Sequence, residues 1–364
     1  MALAEIYRAA QLPVFQNRMF RTAEDARQCA KGDIVLVRDL DSGLIYNQAF
    51  QPELMQYDAD YQNEQAVSLV FRAHLDEVAA IIQTHFADQT LIEVGCGKGY
   101  FLEHLLARGF AITGLDPSYE GDSPHVIKQY FTPQIGLSAN GIMLRHVLEH
   151  VSDPVGFLRQ IRDSNGGAGR IYIEVPCFDW ICTHRAWFDI FFEHVNYFRA
   201  SDFQRMFGTL HQAGHVFGGQ YQYVVADLAT LRAPHLAASD DFTFPADFLA
   251  TVERYAGLIK AQGGQGGRGS ANRAVIWGGA SKGVIFALHM QRAGASIDYV
   301  IDINPAKQDR YLAATGLKVS SPEEVLAQLE PGATIFVMNG NYLPEIQQMT
   351  HNQFNYLTVD HENL

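Results

Sequence analysis

Three stretches of the chain combine residue types and spacings that can do chemistry. The first is Glu93-Val-Gly-Cys-Gly-Lys-Gly99, in which Glu93, Gly95, Gly97 and Gly99 form E-x-G-x-G-x-G directly after the apolar pair Leu91-Ile92. Glycine admits backbone conformations and close approaches that a side chain forbids, so a strand running into such a turn builds a nucleotide-type pocket. The next apolar run, Ala111 to Leu115, ends in Asp116, where a carboxylate can grip paired ribose hydroxyls. A dinucleotide site would carry its third glycine one residue later, as G-x-G-x-x-G.

The second stretch, Leu144-Arg-His-Val-Leu-Glu-His-Val-Ser-Asp-Pro154, follows another apolar run and so lies where ligands bind beyond the carboxyl ends of strands. Taken alone, His146-Val-Leu-Glu149-His150 also matches H-x-x-E-H, a zinc-protease pattern, but the sequence identifies no third ligand. Capping or core duty for both histidines is the competing reading. The third stretch is Trp187-Phe-Asp-Ile-Phe-Phe-Glu-His-Val-Asn-Tyr-Phe198, whose aromatics can wall a pocket around Glu193, His194, Asn196 and Tyr197. An imidazole with an ordinary pKa near 6.5 suits proton abstraction at neutral pH. An aromatic core helix with a structural histidine is the plain alternative.

The elements that must hold these residues follow from periodicity. Apolar residues at Val67, Val70, Phe71, Leu75, Val78, Ala79 and Ile82 recur at helical spacing from Ala66 to Phe86. A further helix uses Phe101, Leu102, Leu105 and Leu106 and ends at Gly109. Strands at 91–95, 111–115, 141–145 and 170–175 alternate with helices, a rhythm that specifies a doubly wound parallel sheet, and two further strands near 216–231 form its antiparallel edge. Upstream, Asp33-Ile-Val-Leu-Val37 and Gly43-Leu-Ile-Tyr46 flank a hairpin-like turn. Downstream, a helix-like stretch from Phe248 to Ala261 leads into Gly263-Gly-Gln-Gly-Gly-Arg-Gly269, a linker signal. Beyond it, Ala274-Val-Ile-Trp-Gly-Gly-Ala280, Ile297-Asp-Tyr-Val-Ile301 and Ala333-Thr-Ile-Phe-Val-Met338 read as strands of a second α/β unit, too small for a complete second cofactor domain. The expected organisation is a small lobe over 1–65, a Rossmann-like cofactor domain over 66–245, and a helix, linker and α/β unit over 246–364.

At 364 residues, 48% hydrophobic and 18% charged, the chain can bury sizeable cores. A net charge of −13 offers no broad basic surface, which disfavours nucleic acid and favours a small-molecule acceptor. Four cysteines without C-x-x-C spacing suit a reducing compartment, and no apolar run approaches the ~18 residues of a membrane span. A cytoplasmic enzyme is expected, with no membrane partner and an oligomeric state the sequence leaves open.

The glycine turn and its following acid resemble motif I of class I S-adenosylmethionine-dependent methyltransferases, and His-Val-Leu-Glu-His resembles a segment frequent in that superfamily. Glu193-His194 resembles the Glu-His pair of the sugar C-methyltransferases that act on nucleotide-linked keto-deoxysugars. Trp277-Gly-Gly-Ala-Ser-Lys-Gly283, Val300-Ile-Asp-Ile-Asn-Pro-Ala-Lys-Gln308 and Asn339-Gly-Asn-Tyr342 match that family's closing domain in order. The resemblance implies S-adenosylmethionine held by Glu93, Gly95, Cys96, Gly97, Gly99, Asp116, Pro117, Arg145 and His146, with S-adenosylhomocysteine as product. It also implies a base at His194 ordered by Glu193. Asn196 and Tyr197 are candidates to bind the acceptor, and Tyr61 and His146 are further catalytic candidates, with packing or cofactor-lid duty the alternative for Tyr61; Lys282 and Lys307 are candidates to meet a substrate diphosphate, with a solvated surface role as the alternative.

Two departures qualify it. Arg38-Asp-Leu-Asp-Ser-Gly43 stands where the family carries zinc-binding cysteines, leaving only Cys29 nearby, so no metal is expected. The tyrosine three residues before the base is Phe191, and Tyr61 is the candidate for the missing phenol. O- or N-methylation of another metabolite or glycan unit is the alternative chemistry. A binding protein that keeps the fold without turnover is the alternative from another class.

Overall fold

A computed structural model describes residues 2–55, 60–238, 240–263 and 273–360. The N-terminal sheet pairs β1 (Leu3–Pro13) with β2 (Lys31–Asp39), and β2 with β3 (Ile45–Asn47), all antiparallel; α1 (Ala23–Arg27) spans the long β1–β2 connection. The expected turn forms because Asp39 accepts from the Asp41 N–H at 2.9 Å and the Ser42 hydroxyl at 2.7 Å, while Gly43 supplies a φ of +81°. The sheet does not close on itself. The Asn47 N–H donates to Val195 O at 2.7 Å and the Tyr197 N–H to Ile45 O at 2.9 Å, so β3 is bonded along the segment that carries His194.

The central unit runs α2 (Leu69–Phe86), β4 (Thr90–Val94), α3 (Tyr100–Leu106), β5 (Ala111–Leu115), β6 (Val126–Ile127), β7 (Gly141–Arg145), α4 (Pro154–Ser164), β8 (Arg170–Pro176), α5 (Phe178–Thr183), α6 (Ala200–Met206), β9 (Leu210–Val216) and β10 (Tyr221–Asp227). Ser68 caps α2 through the Val70 and Phe71 N–H groups, so the helix begins later than its apolar periodicity suggests and leaves Val67 outside. The sheet order is β6-β5-β4-β7-β8-β10-β9, parallel through β8, with β10 and β9 as the antiparallel edge. Strand order reverses direction between β4 and β7, and ligands in open α/β sheets bind at that switch point. All three sequence constellations follow strands at this end.

Past α7 (Ala250–Gly263) the linker residues 264–269 lie outside the described residues. The third sheet comprises β11 (Val275–Trp277), β12 (Tyr299–Ile301), β13 (Val319–Ser320), β14 (Thr334–Val337) and β15 (Asn355–Thr358), with α8 (Lys282–Arg292), α9 (Pro322–Leu326) and α10 (Leu343–Met349) between strands. Its order, β13-β12-β11-β14-β15, is wholly parallel and repeats that of β6-β5-β4-β7-β8. The unit is therefore more complete than the sequence suggests. β13 is two residues long and β15 carries Asn355, Tyr356 and Thr358, so neither shows an apolar run.

The aromatic stretch 187–198 is core rather than pocket wall. Trp187, Phe188, Phe192 and Phe198 are almost completely buried. Trp187 and Phe192 share one apolar cluster with Leu12 and Ile34 of the N-terminal sheet and with Phe286 and Phe336 of the C-terminal unit. At Gly32 a β-carbon would stand 2.1 Å from the Phe192 ring. Gly32→Ala is expected to destabilise the protein by about 1–3 kcal/mol in denaturant titrations. Gly257→Ala, in α7, where an added methyl meets nothing within 4 Å, should instead stabilise it slightly.

Candidate active site

β4 ends in the glycine turn. Gly95 has a φ of +77°, and a β-carbon there would come within 2.4 Å of Val147. Gly97 has a φ of +54°, and a β-carbon there would point into open space with nothing within 4 Å. The turn is bonded to the next strand: the Gly95 N–H donates to Leu115 O at 2.8 Å and the Gly97 N–H to Asp116 Oδ2 at 2.8 Å. The other Asp116 oxygen accepts from the Ser118 N–H and hydroxyl at 2.8 and 2.6 Å. Asp116 thus shapes the turn, and a carboxylate retains lone pairs for further donors. Glu93 is buried with Oε2 unpartnered, and burial, opposed by Arg145, pushes its carboxyl up to about 7. An orphaned acceptor, a side-chain-free edge and a carboxylate at the second strand's end fit the ammonium, backbone-held and ribose portions of S-adenosylmethionine. Pro117 is exposed at the rim, whereas the Cys96 side chain is buried against Gly114 and its thiol is raised by burial.

Arg145 and His146 are committed elsewhere than their expected cofactor contacts. Glu174, fully buried on β8, accepts from Arg145 at 3.1 Å, His146 Nε2 at 3.1 Å and Tyr172 at 2.6 Å, with His74 Nε2 at 3.2 Å. Burial would raise this carboxyl, but Arg145, then His146 and His74, hold it well below the usual range. His146 has a φ of +52° and also donates from Nδ1 to Glu149 Oε1 at 3.3 Å. Burial opposes its charge, yet the two carboxylates outweigh that and push it up to about 9. A clamped imidazolium is not a proton acceptor, which corrects the expectation of catalytic support from His146.

On the acceptor side, His194 lies with its ring centroid 5.0 Å from those of both His150 and Phe191. Burial first, then the charges of His150 and His146, hold it well below its ordinary value. Glu193 does not order His194 by a hydrogen bond as expected. Its carboxylate accepts from the Tyr61 hydroxyl at 2.8 Å and the Gln16 N–H at 3.2 Å, which ties it to the N-terminal lobe. The imidazole that faces His194 is His150, whose Nδ1 donates to Glu193 O at 2.8 Å.

The polar groups of Asn196 and Tyr197 serve the backbone rather than an acceptor. Asn196 Nδ2 donates to Val151 O at 2.6 Å, and the Tyr197 hydroxyl donates to Phe191 O at 2.9 Å and accepts from the Phe191 N–H at 3.0 Å. These bonds fix the two histidine-bearing turns. Lys282 Nζ lies 3.2 Å from Asp189 and donates to Gln220 at 2.9 Å, and Lys307 lies 3.4 Å from Asp302; neither ammonium is left unpaired. The span 61–68 links the pieces. Lys98 in the glycine turn donates to Gln62, Asn304 to Glu64 O, Tyr342 to Gln65, and Glu345 accepts at the start of α2.

Glu174 and His74 were not nominated from sequence, and His150 entered only through the H-x-x-E-H pattern. The first two carry a usable signal, a lone charged or polar group in an otherwise apolar buried pattern, as in Ile171-Tyr-Ile-Glu-Val175. Such a group must be paired. Glu174→Ala would leave Arg145 and His146 without their shared acceptor and is expected to cost about 3–5 kcal/mol of stability in chemical denaturation. His146, raised in the folded state, adds stability that is complete below pH 6.5 and lost as the pH rises through about 9. His146→Gln should flatten that alkaline decline in melting temperature.

Residues 62–214 match a family model described as a methyltransferase domain. No curated protein sequence matches the chain. Similar solved structures include TnmH, at 18% identity and a TM-score of 0.36 over 44% of this chain and 56% of that one, so the match spans little more than half of TnmH. A second is the Burkholderia thailandensis 1,6-didemethyltoxoflavin-N1-methyltransferase with bound 1,6-didemethyltoxoflavin and S-adenosylhomocysteine, at 14% identity and 0.32 over 52% and 96%. A third is a SAM dependent methyltransferase from Archaeoglobus fulgidus, at 15% and 0.32 over 44% and 100%. Among the described residues no helix is long and apolar enough to cross a membrane. The stretch that matches the methyltransferase-domain model, residues 62–214, carries the glycine turn, Asp116 and most of the Rossmann-like strands of the central unit.

Proposed function

We propose that the chain methylates a small-molecule acceptor with His194 as the base, and that the acceptor is a nucleotide-linked keto-deoxysugar methylated at the carbon beside its ketone. The observation that carries this reading is a half-buried imidazole on a segment bonded to the N-terminal sheet, beside a second imidazole and close to the cofactor domain's switch point. S-adenosylmethionine supplies the electrophilic methyl and leaves as S-adenosylhomocysteine. Glu93 would meet its ammonium, the Gly97 backbone would line its amino-acid end and Asp116 would accept from its ribose. His194 takes the proton from the acceptor carbon, whose electron pair then forms the new carbon–carbon bond as the methyl–sulfur bond breaks. Phe191 offers no hydroxyl to polarise an enolate, and the Tyr61 hydroxyl donates to Glu193. That arrangement favours, as a second reading, an oxygen or nitrogen acceptor that needs only its proton removed.

Labelled S-adenosylmethionine offered with a panel of nucleotide-sugars and their keto forms, with the label located by mass spectrometry and NMR, tests the acceptor class. His194→Gln should lower turnover by about 10²–10⁴-fold while calorimetric affinity for S-adenosylhomocysteine stays near that of the parent. Gly97→Val and Asp116→Ala should instead weaken that affinity, the latter by about 1–3 kcal/mol. Carbon acceptors should exchange the hydrogen beside the ketone with deuterated water in a His194-dependent way; base dependence without exchange selects the oxygen or nitrogen reading. Label transfer unaffected in the His194 variant removes it as base.

A further inference from the structure

The sequence offers no third ligand beside the His146/His150 pair, and the structure supplies a different set. One ligand atom each from Glu149, His150 and His194 lies within 4.8 Å of the others. Ligand atoms around tetrahedral zinc, at ~2.0–2.2 Å from the ion, stand roughly 3.3–3.6 Å apart, so small side-chain rotations close this set around one ion. Two imidazoles and a carboxylate leave a fourth position open, the composition of three-ligand zinc sites.

Two of the ligands are already oriented. His150 donates Nδ1–H to Glu193 O at 2.8 Å, which orients the ring and leaves Nε2 as the nitrogen available to an ion, as a backbone carbonyl does for metal-bound imidazoles. Glu149 is 1% exposed; its Oε1 accepts from His146, while Oε2 is buried with no partner. A bare carboxylate oxygen in the interior is an uncompensated acceptor that a cation satisfies. The two segments bearing the ligands are tied together, because Glu149 O accepts from the Val195 and Asn196 N–H groups at 2.8 and 3.0 Å, and Asn196 reaches back to Val151 O. His146 stays outside the set, since both its ring nitrogens face glutamates.

We infer that Glu149, His150 and His194 form a binding site for a borderline divalent transition metal of the zinc class, and that an ion there occupies the lone pair His194 would turn on an acceptor. The ion is thus an antagonist of transfer rather than its cofactor, and this second half rests on the reading of His194 as base.

The test uses the full chain, stripped with chelator and titrated with Co²⁺. The expected result is one equivalent of the visible ligand-field absorption of four-coordinate cobalt, abolished by Zn²⁺. Glu149→Gln, His150→Gln and His194→Gln should each weaken Co²⁺ binding by at least about tenfold, with calorimetric binding of S-adenosylhomocysteine retained as the check of folding. Absence of the band, or a band that survives in all three variants, overturns the metal site and leaves the base reading standing. With the acceptor found in the labelling screen, loss of transfer that tracks zinc occupancy and returns with chelator supports the antagonism. Full turnover with the ion bound overturns the antagonism and the base role together, while the site itself stands.

Discussion

A carboxylate removed from water has to be surrounded by donors, and much of the active-site architecture follows from how Glu174 meets that demand. Its side chain has no exposure, and its partners come from α2 through His74, from the end of β7 through Arg145 and His146, and from β8 through Tyr172. Those are the elements that frame the switch point. The same bonds hold His146 in a left-handed backbone conformation, which directs the chain into the turn bearing Glu149 and His150. Stability and site geometry are therefore one network here, and a buried ion cluster that is fully partnered specifies its surroundings more sharply than apolar packing does.

The charges in this network are unequal by design of their surroundings. His146 is raised by two carboxylates, whereas His194 is lowered by burial and by neighbouring imidazoles. Two neighbouring histidines are thus shifted in opposite directions by their surroundings. Glu93, raised by burial beneath the glycine turn, holds a third position that responds to an incoming cation.

Local sequence made the cofactor end legible because its requirements are local. Gly95 and Gly97 adopt positive φ within one turn, and Asp116 sits one strand away with a direct bond to Gly97. The acceptor end was legible only in part. His194 is visible as a histidine in an aromatic run, but the partners of Glu193, Tyr61 and Gln16, lie far away in the chain. Asn196 and Tyr197 looked like pocket residues because polar groups among aromatics suggest a ligand; their bonds to Val151 and Phe191 depend on tertiary placement that no spacing encodes. β13 and β15 escaped for a simpler reason, being short and mixed in polarity.

The segment carrying His194 lies in the apolar cluster shared by the N-terminal sheet and the C-terminal helices. Trp187, Phe188 and Phe192 have almost no exposed surface, so exchanging them alters packing volume before it alters any acceptor contact. Evolvability is consequently divided between the faces of the site. The span 61–68 and the C-terminal turns at Ser281 and Asn304 meet other units through single side-chain bonds and can vary, while the histidine-bearing face is held fixed by the folding of the whole chain.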